Sequence, residues 1–428
     1  MNLQDEAVGL LQQLLRLNTV NPPGNETIAA ELLRDYLEAN GVEVELYARV
    51  PERANLVARI KGGDGPSLCF LSHTDTVVAD PAEWSRDPWS GDLADDHVWG
   101  RGALDMKNQV AASAVAIASL AREGFTPPGD LVFVAAADEE VGDNYGLQWL
   151  CEHHPDAVRV DYAINEGGGE RVELGGSVFY LCAAAEKMSS PIRIIVHGRS
   201  GHASMPGIAD NALVKAAPLI EKLAAYRPEP SVGPEVAGFL DVVLGERPPA
   251  GQVLERLRAL DPLAAETIEP LLAFTLSPTM IAASERRNVI PGTVELTVDR
   301  RLLPGQTPED VDPIVRSVLG DDGYYELETI ERFGGTRSPL DTPLWRAISD
   351  WVEASEPGAK LAPLCCAGFT DSHWLREAFG TVAYGFFPLR TMETELASRL
   401  IHSADERTHV DDLGLGVEFL RAAARSLG

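Results

Sequence analysis

The stretch SLCFLSHTDTV (67–77) decides the fold. It opens as an unbroken apolar run, the mark of a strand buried on both faces of a helix-covered sheet, and ends in a histidine and an aspartate. Further short apolar strands read at NLVARI (55–60), DLVFVAAA (130–137) and YAIN (162–165). Among them lie helical patterns at 5–17, at 27–39 with Gly41 as a C-cap, and at roughly 106–122, a small-residue helix that stops at Gly124. This alternation predicts an α/β fold with a mixed, mostly parallel sheet covered by helices.

From about residue 187 the texture changes. PIRIIVHG (191–198) and TVELTVDRRL (293–302) read as strands, and NALVKAAPLIEKLAAY (211–226) as an amphipathic helix. TPEDVDPIVRSVL (307–319) opens like a helix, with a Thr cap, a Pro at the first position and acidic residues in the first turn. About fifty intervening residues rich in Pro, Ala and Leu predict added helices, and helix–strand alternation resumes after about residue 338. The expectation is one domain made of 1–186 and 338–428, interrupted by an α+β domain at 187–337.

A chain of 428 residues is too long for one ordinary core, and its 45% hydrophobic and 24% charged residues suit a folded protein. A formal net charge of −29 disfavours nucleic acid and anionic lipid as partners, and no stretch has the apolar length of a membrane span. The start, MNLQDEAVGLLQQLLRL, carries Asp5 and Glu6 and reads as an amphipathic helix rather than a secretory signal. Five cysteines without a CxxC pair predict neither a disulfide framework nor a zinc knuckle, but thiols of a reducing, cytoplasmic compartment.

Five segments carry residues suited to chemistry: LSHTDTV (71–77), GRGALDMK (100–107), ADEEVG (137–142), INEGG (164–168) and IHSADER (401–407). In an open α/β sheet, side chains just past the carboxyl ends of strands share one edge, so His73, Glu140 and Glu166 are expected to converge. A mixed histidine and carboxylate set suits zinc or another borderline divalent ion better than calcium or magnesium. With several acids, two cations can share the site, and Asp105 is the candidate bridge. Asp75 lies two residues past His73, placed to orient its ring. Adjacent Glu139 and Glu140 cannot point the same way, so one suits metal and the other general-base work. GRGALDMK lacks the GK[ST] ending of a phosphate loop.

Taken together and in this order, SHTDTV, GRGxxDMK, the EE pair, NEG, SGHAS, NVIPG with DRRLLPG, and the terminal HSADER resemble the co-catalytic zinc metallopeptidases that include carboxypeptidase G, acetylornithine deacetylase, succinyl-diaminopimelate desuccinylase and aminoacylase. The resemblance covers essentially the whole chain. It implies two zinc ions, with cobalt or manganese as substitutes: His73 and Glu166 on one, Glu140 and His402 on the other, Asp105 between them, and Glu139 as the base. It also implies a cis Asp105–Met106 bond and a lid or dimerisation role for the inserted domain. His202 would polarise the scissile carbonyl, usually from the partner subunit of a homodimer. Asn288, Arg301, Gly368 and Thr370 match substrate-contact positions. The implied reaction is hydrolysis of an amide in a small carboxylate-bearing substrate, an N-acyl amino acid, with dipeptidase, carboxypeptidase and a metal-free binding protein as rivals.

Plainer readings stand beside these. Arg301 could pair with Asp299 or Glu295, His202 could be a turn residue, and His97, His153, His154, His197, His373 and His409 read as structural or exposed.

Overall fold

The computed structural model describes residues 2–142, 144–320 and 323–427. The chain divides into two units, Met1–Ala184 with Ser338–Leu364 and Thr370–Gly428, and Ala185–Arg337 with Cys365–Phe369. The second unit therefore includes a short segment that the sequence left with the first. Lys187 N–H donates to Cys366 O at 2.9 Å, which ties that segment to the start of the second unit.

The first unit is built on a nine-stranded sheet. Its centre is parallel: Leu131–Ala136, Leu68–His73, Tyr162–Asn165 and Val382–Gly385 run side by side. Glu43–Ala48 and Ala54–Ile60 add antiparallel strands at one flank, so the sheet is mixed with a parallel core. Side chains alternate between two apolar layers. Leu68, Phe70, Leu131 and Phe133 join the layer formed with the helices Leu3–Leu15, Lys107–Arg122 and Val410–Ser426, while Cys69, Leu71, Val132 and Val134 join the layer on the other face. Each large apolar side chain buried this way contributes about 1.5–3 kcal/mol.

Helix Lys107–Arg122 is buried on nearly every side, and its many alanines allow other elements to approach closely. At its start Lys107, fully buried, donates to Leu14 O at 3.1 Å and Leu17 O at 3.0 Å, satisfying carbonyls at the end of the first helix. That first helix starts two residues earlier than the apolar spacing suggests, because the Asn2 side chain accepts Asp5 N–H at 2.7 Å and caps it.

In the second unit Ile192–His197 and Thr293–Leu302 pair antiparallel, with Tyr325–Thr329 and Thr275–Ala282 outside them. Helices Ala212–Ala225 and Pro308–Leu319 cover one face, where Leu219, Leu223, Val311 and Val315 meet Ile194, Val196, Leu296 and Val298. The Asp310 carboxylate accepts Thr307 N–H at 2.9 Å, the cap expected at that helix start. The Pro-, Ala- and Leu-rich segment forms Pro234–Val243, Val253–Leu260 and Pro262–Ile268. Among the described residues, no helix is long and apolar enough to cross a membrane.

Candidate metal centre

Parallel strands put their carboxyl ends on one side, and the first unit places its acids and histidines there. His73 ends its strand, Glu139 and Glu140 follow the strand Leu131–Ala136 by a short turn, and Glu166 follows Tyr162–Asn165 directly. Asp105 arrives from another direction, at the end of the Gly-rich turn that leads into Lys107–Arg122, and the Asp105–Met106 peptide is cis. His402 sits in the turn after Thr394–Leu400 with φ of 59°.

Asp105 lies at the middle of the cluster. Its Oδ1 is 3.2 Å from His73 Nε2, and its Oδ2 is 3.0 Å from His402 Nε2. Around His73 stand Glu166 Oε1 at 3.7 Å and Glu139 Oε2 at 4.0 Å; beside His402 stands Glu140 Oε2 at 3.3 Å. The two oxygens of one carboxylate thus face two separate histidine–carboxylate groups. His73 is closed off at 2% exposure and His402 is 49% exposed, so the cluster has a floor and a mouth.

Asp75 organises the buried side. It is fully buried, its Oδ1 lies 3.4 Å from His73 Nδ1, and its backbone carbonyl lies 3.2 Å from the same nitrogen. Its carboxylate also accepts Glu139 N–H at 3.2 Å and Glu140 N–H at 3.1 Å. One side chain therefore fixes both the first histidine and the backbone of the glutamate pair. Behind it Asn21 Nδ2 donates to Asp75 at 3.0 Å and to Asp138 at 2.9 Å, and Arg53 joins Asp138 at 3.0 Å to Glu26 at 2.6 Å.

The residues fit divalent cations on chemical and structural grounds. Asp105, Glu139, Glu140 and Glu166 have no Lys or Arg ion-pair partner among the described residues, and buried Glu140 Oε1 has no hydrogen-bond partner. Such a concentration of buried carboxylate is unfavourable unless positive charge neutralises it. The donor atoms of His73, Glu139 and Glu166 lie within 4.8 Å of one another, as do those of His73, Asp105 and Glu140. Without cations the cluster holds protons instead. Burial and the neighbouring Glu166 charge push Glu139 well above the usual carboxylate range, and burial with the Asp105 charge does the same to Glu166. Hydrogen bonds to Asp105 and Glu140 raise His402 to about 10.

A further acid belongs here. Asp371 is 4% exposed and adds its charge to those raising Glu139 and Glu166. It closes the GFTD stretch (368–371), which the family resemblance matches to a substrate loop, and it stands at the start of helix Ser372–Phe379 without a side-chain capping bond.

The candidate substrate residues are placed as follows. Thr370 is buried in the first unit and Gly368 belongs to the second. In the second unit, Gly201–His202 pairs with Val289–Ile290 and Ala203 N–H donates to Asn288 O at 3.0 Å, setting exposed His202 beside Asn288. Ser204 N–H lies 3.2 Å from His202 Nδ1; a backbone N–H can only donate, so the neutral ring carries its proton on Nε2. Arg301 takes the plainer course and pairs with Asp299 through Nε and Nη2, at 2.9 and 3.0 Å. The remaining histidines are engaged elsewhere: His97 with His409, His153 and His154 against Trp149, His197 with Glu326, and His373 with Glu377.

Comparison with known proteins agrees with this architecture. Residues 69–426 match the model of peptidase family M20/M25/M40. N-fatty-acyl-amino acid synthase/hydrolase PM20D1 of Xenopus tropicalis is 27% identical over 84% of this chain and 73% of its own length. Aminoacylase-1 of Sus scrofa is 26% identical over 94% of this chain and 90% of its own. The fold is shared with the M20 family metallo-carboxypeptidase Sso-CP2 of Sulfolobus solfataricus, at a TM-score of 0.76 and 17% identity over 99% of both chains. The motif order, the fold and the family match agree: the chain belongs to peptidase family M20/M25/M40, a family of metal-dependent hydrolases.

Proposed function

We propose that the chain binds two zinc ions and hydrolyses the amide bond of an N-acyl amino acid, releasing a carboxylate and a free amine. The observation that carries this reading is Asp105, whose two oxygens face His73 and His402 separately. His73 and Glu166 would hold one ion, Glu140 and His402 the other, with Asp105 shared; cobalt or manganese would substitute. When bound, such a pair lowers the pKa of water and withdraws electron density from a carbonyl.

The chain's own residues supply the proton traffic. Glu139 lies at the edge of the cluster, and its carboxylate makes no hydrogen bond among the described residues. It is free to take a proton from the attacking water and return it to the departing nitrogen. Asp75 keeps the Glu139 and Glu140 backbones and the His73 ring in place while this happens. His202, with its proton on Nε2, is in the tautomer that can donate to a developing oxyanion. Asn288, Arg301, Gly368 and Thr370 are the proposed substrate contacts, and Arg301 would have to exchange Asp299 for the substrate carboxylate.

Two matched relatives that span most of this chain are named for acyl amino acid chemistry, which favours deacylase over dipeptidase or carboxypeptidase activity. Release of amine from a panel of N-acyl amino acids and dipeptides by zinc-loaded enzyme tests the assignment. Activity confined to dipeptides would replace it with a dipeptidase.

The same proposal includes a cytoplasmic homodimer formed through the second unit. The cysteines are thiols, three of them buried, which suits a reducing setting. Strand Thr275–Ala282 pairs along one side only among the described residues, and Met280 and Ile281 on it are exposed. Helix Ala212–Ala225 packs against that strand and exposes Leu213 and Val214. An open strand edge beside apolar side chains invites a second copy. Met280→Lys with Val214→Glu should turn a dimer into a monomer in light scattering; a wild-type chain that is already monomeric sinks this part.

A further inference from the structure

Beyond the proposed ligands, one buried side chain joins the two segments that meet at the metal centre. Strands His97–Trp99 and Arg407–His409 pair antiparallel, with Trp99 opposite Arg407. The pairing continues one step further, where Gly100 N–H donates to Glu406 O at 3.0 Å. There the chains part. One runs on through the Gly-rich turn to Asp105, and the other leads back through Asp405 and Ser403 to His402.

The Glu406 side chain, 0% exposed, fills this fork. Its Oε1 accepts Leu104 N–H at 2.7 Å and Asp105 N–H at 3.1 Å. Its Oε2 accepts Gly102 N–H at 3.1 Å and the Arg101 guanidinium at 2.6 Å. All four donors come from the turn that delivers Asp105. Only an ionised carboxylate offers acceptors alone on both oxygens; a glutamine of the same shape would turn its NH2 toward groups that themselves donate. Arg101 ties the start of the turn elsewhere, by its N–H on Pro88 O at 2.9 Å and its guanidinium on Val78 O at 3.3 Å. Inside the turn Ala103 N–H meets Gly100 O at 3.1 Å and Lys107 N–H meets Gly102 O at 2.8 Å; the Leu104 and Asp105 N–H groups are held by Glu406.

We infer that Glu406 is a positioning residue of the metal centre, clamping the Asp105 turn to the His402 segment so that the shared carboxylate presents one oxygen to each half of the site. The inference rests on the two-cation reading above. Glu406 touches neither substrate nor cation; it acts through the backbone of Asp105. Groups that orient metal ligands in this way typically govern affinity by about 10–100-fold.

The test is Glu406→Gln. Zinc affinity of the folded protein is measured by chelator competition, cobalt coordination by visible absorption, and metal-free stability by thermal melting. We expect zinc affinity to fall about 10–100-fold and the cobalt spectrum to change. A purely structural role would lower the melting temperature of the metal-free protein and leave both metal readouts alone. Wild-type zinc affinity and cobalt spectrum in folded Glu406→Gln overturn the inference alone. A wild-type chain that takes up no cation overturns the two-cation reading and this inference with it. Should Glu406→Gln not fold, Glu406→Asp, which keeps the charge and withdraws the oxygens from the turn, is judged by the same metal readouts.

Discussion

Glu139→Gln separates proton transfer from everything else in the site. The two side chains have the same shape, and the Glu139 carboxylate has no hydrogen bond among the described residues for the substitution to break. Asp75 holds the backbone N–H of residue 139, which the change leaves alone. What disappears is basicity. General acid–base catalysis contributes about 10²–10⁴-fold, so kcat should fall by that factor, equivalent to about 3–5 kcal/mol of barrier. KM and cation content should hold steady, measured by amine release and elemental analysis. A second readout follows from the raised pKa of Glu139, caused by burial and the Glu166 charge. A carboxyl whose folded pKa lies above its unfolded value keeps its proton longer in the native state, so metal-free stability declines as pH rises from about 4.3 toward the raised value. The amide has no proton to lose, and the melting temperature of metal-free Glu139→Gln should decline less over that window. Turnover within threefold of wild type, with cations bound, would refute the base assignment.

Cation affinity should rise steeply with pH. His402 is raised to about 10 in the metal-free protein, and an imidazolium cannot ligate, so binding must expel its proton. Chelator competition between pH 6 and about 9 should show tighter binding at each step; a flat profile would place His402 outside the cation shell. Arg53→Met should destabilise the first unit by about 3–5 kcal/mol, since it leaves Glu26 and Asp138, both buried, without their shared cation. Urea unfolding measures this, and a loss below about 1 kcal/mol would mean that those carboxyls are neutral in the native protein.

The central strands were legible because burial on both faces leaves unbroken apolar runs, as in LCFLSH and LVFVAA. Glu43–Ala48 was not, because EVELYA lies at the edge of the sheet and is half exposed, and its charges resemble those of a loop. Strands as short as His97–Trp99 and Arg407–His409 depend on each other, and three residues give no periodicity to read. The site divides in the same way. His73, Asp105, Glu139, Glu140, Glu166 and His402 stand out by residue type and motif order, and the structure gathers them in one cluster. Glu406 and Asp371 lie inside the quoted HSADER and GFTD stretches, yet their roles were not legible, since an acid that grips backbone N–H groups or adds its charge beside a cluster has no residue type of its own. Arg301 is a third case: its type suits a carboxylate substrate and equally a neighbouring acid, the sequence left both open, and its partner in the structure is Asp299, two residues away on the same strand.

The crowding of Asp105, Glu139, Glu140, Glu166 and Asp371 at one sheet edge has a consequence for stability that concerns only part of the chain. Like charges buried together oppose folding, and cations that bind the native site alone reverse this. At a hundredfold excess over the dissociation constant, each site contributes about 2.7 kcal/mol. For a unit this size, 1 kcal/mol moves the midpoint by about 2–4 °C, so filling one site should shift it by about 5–11 °C. Every one of these acids lies in the first unit, while the second has its own apolar core. Calorimetry with and without chelator should therefore lower one transition and leave the other in place. Equal shifts in both would mean that the units unfold together, and no shift at all would mean that the acids carry protons rather than metal.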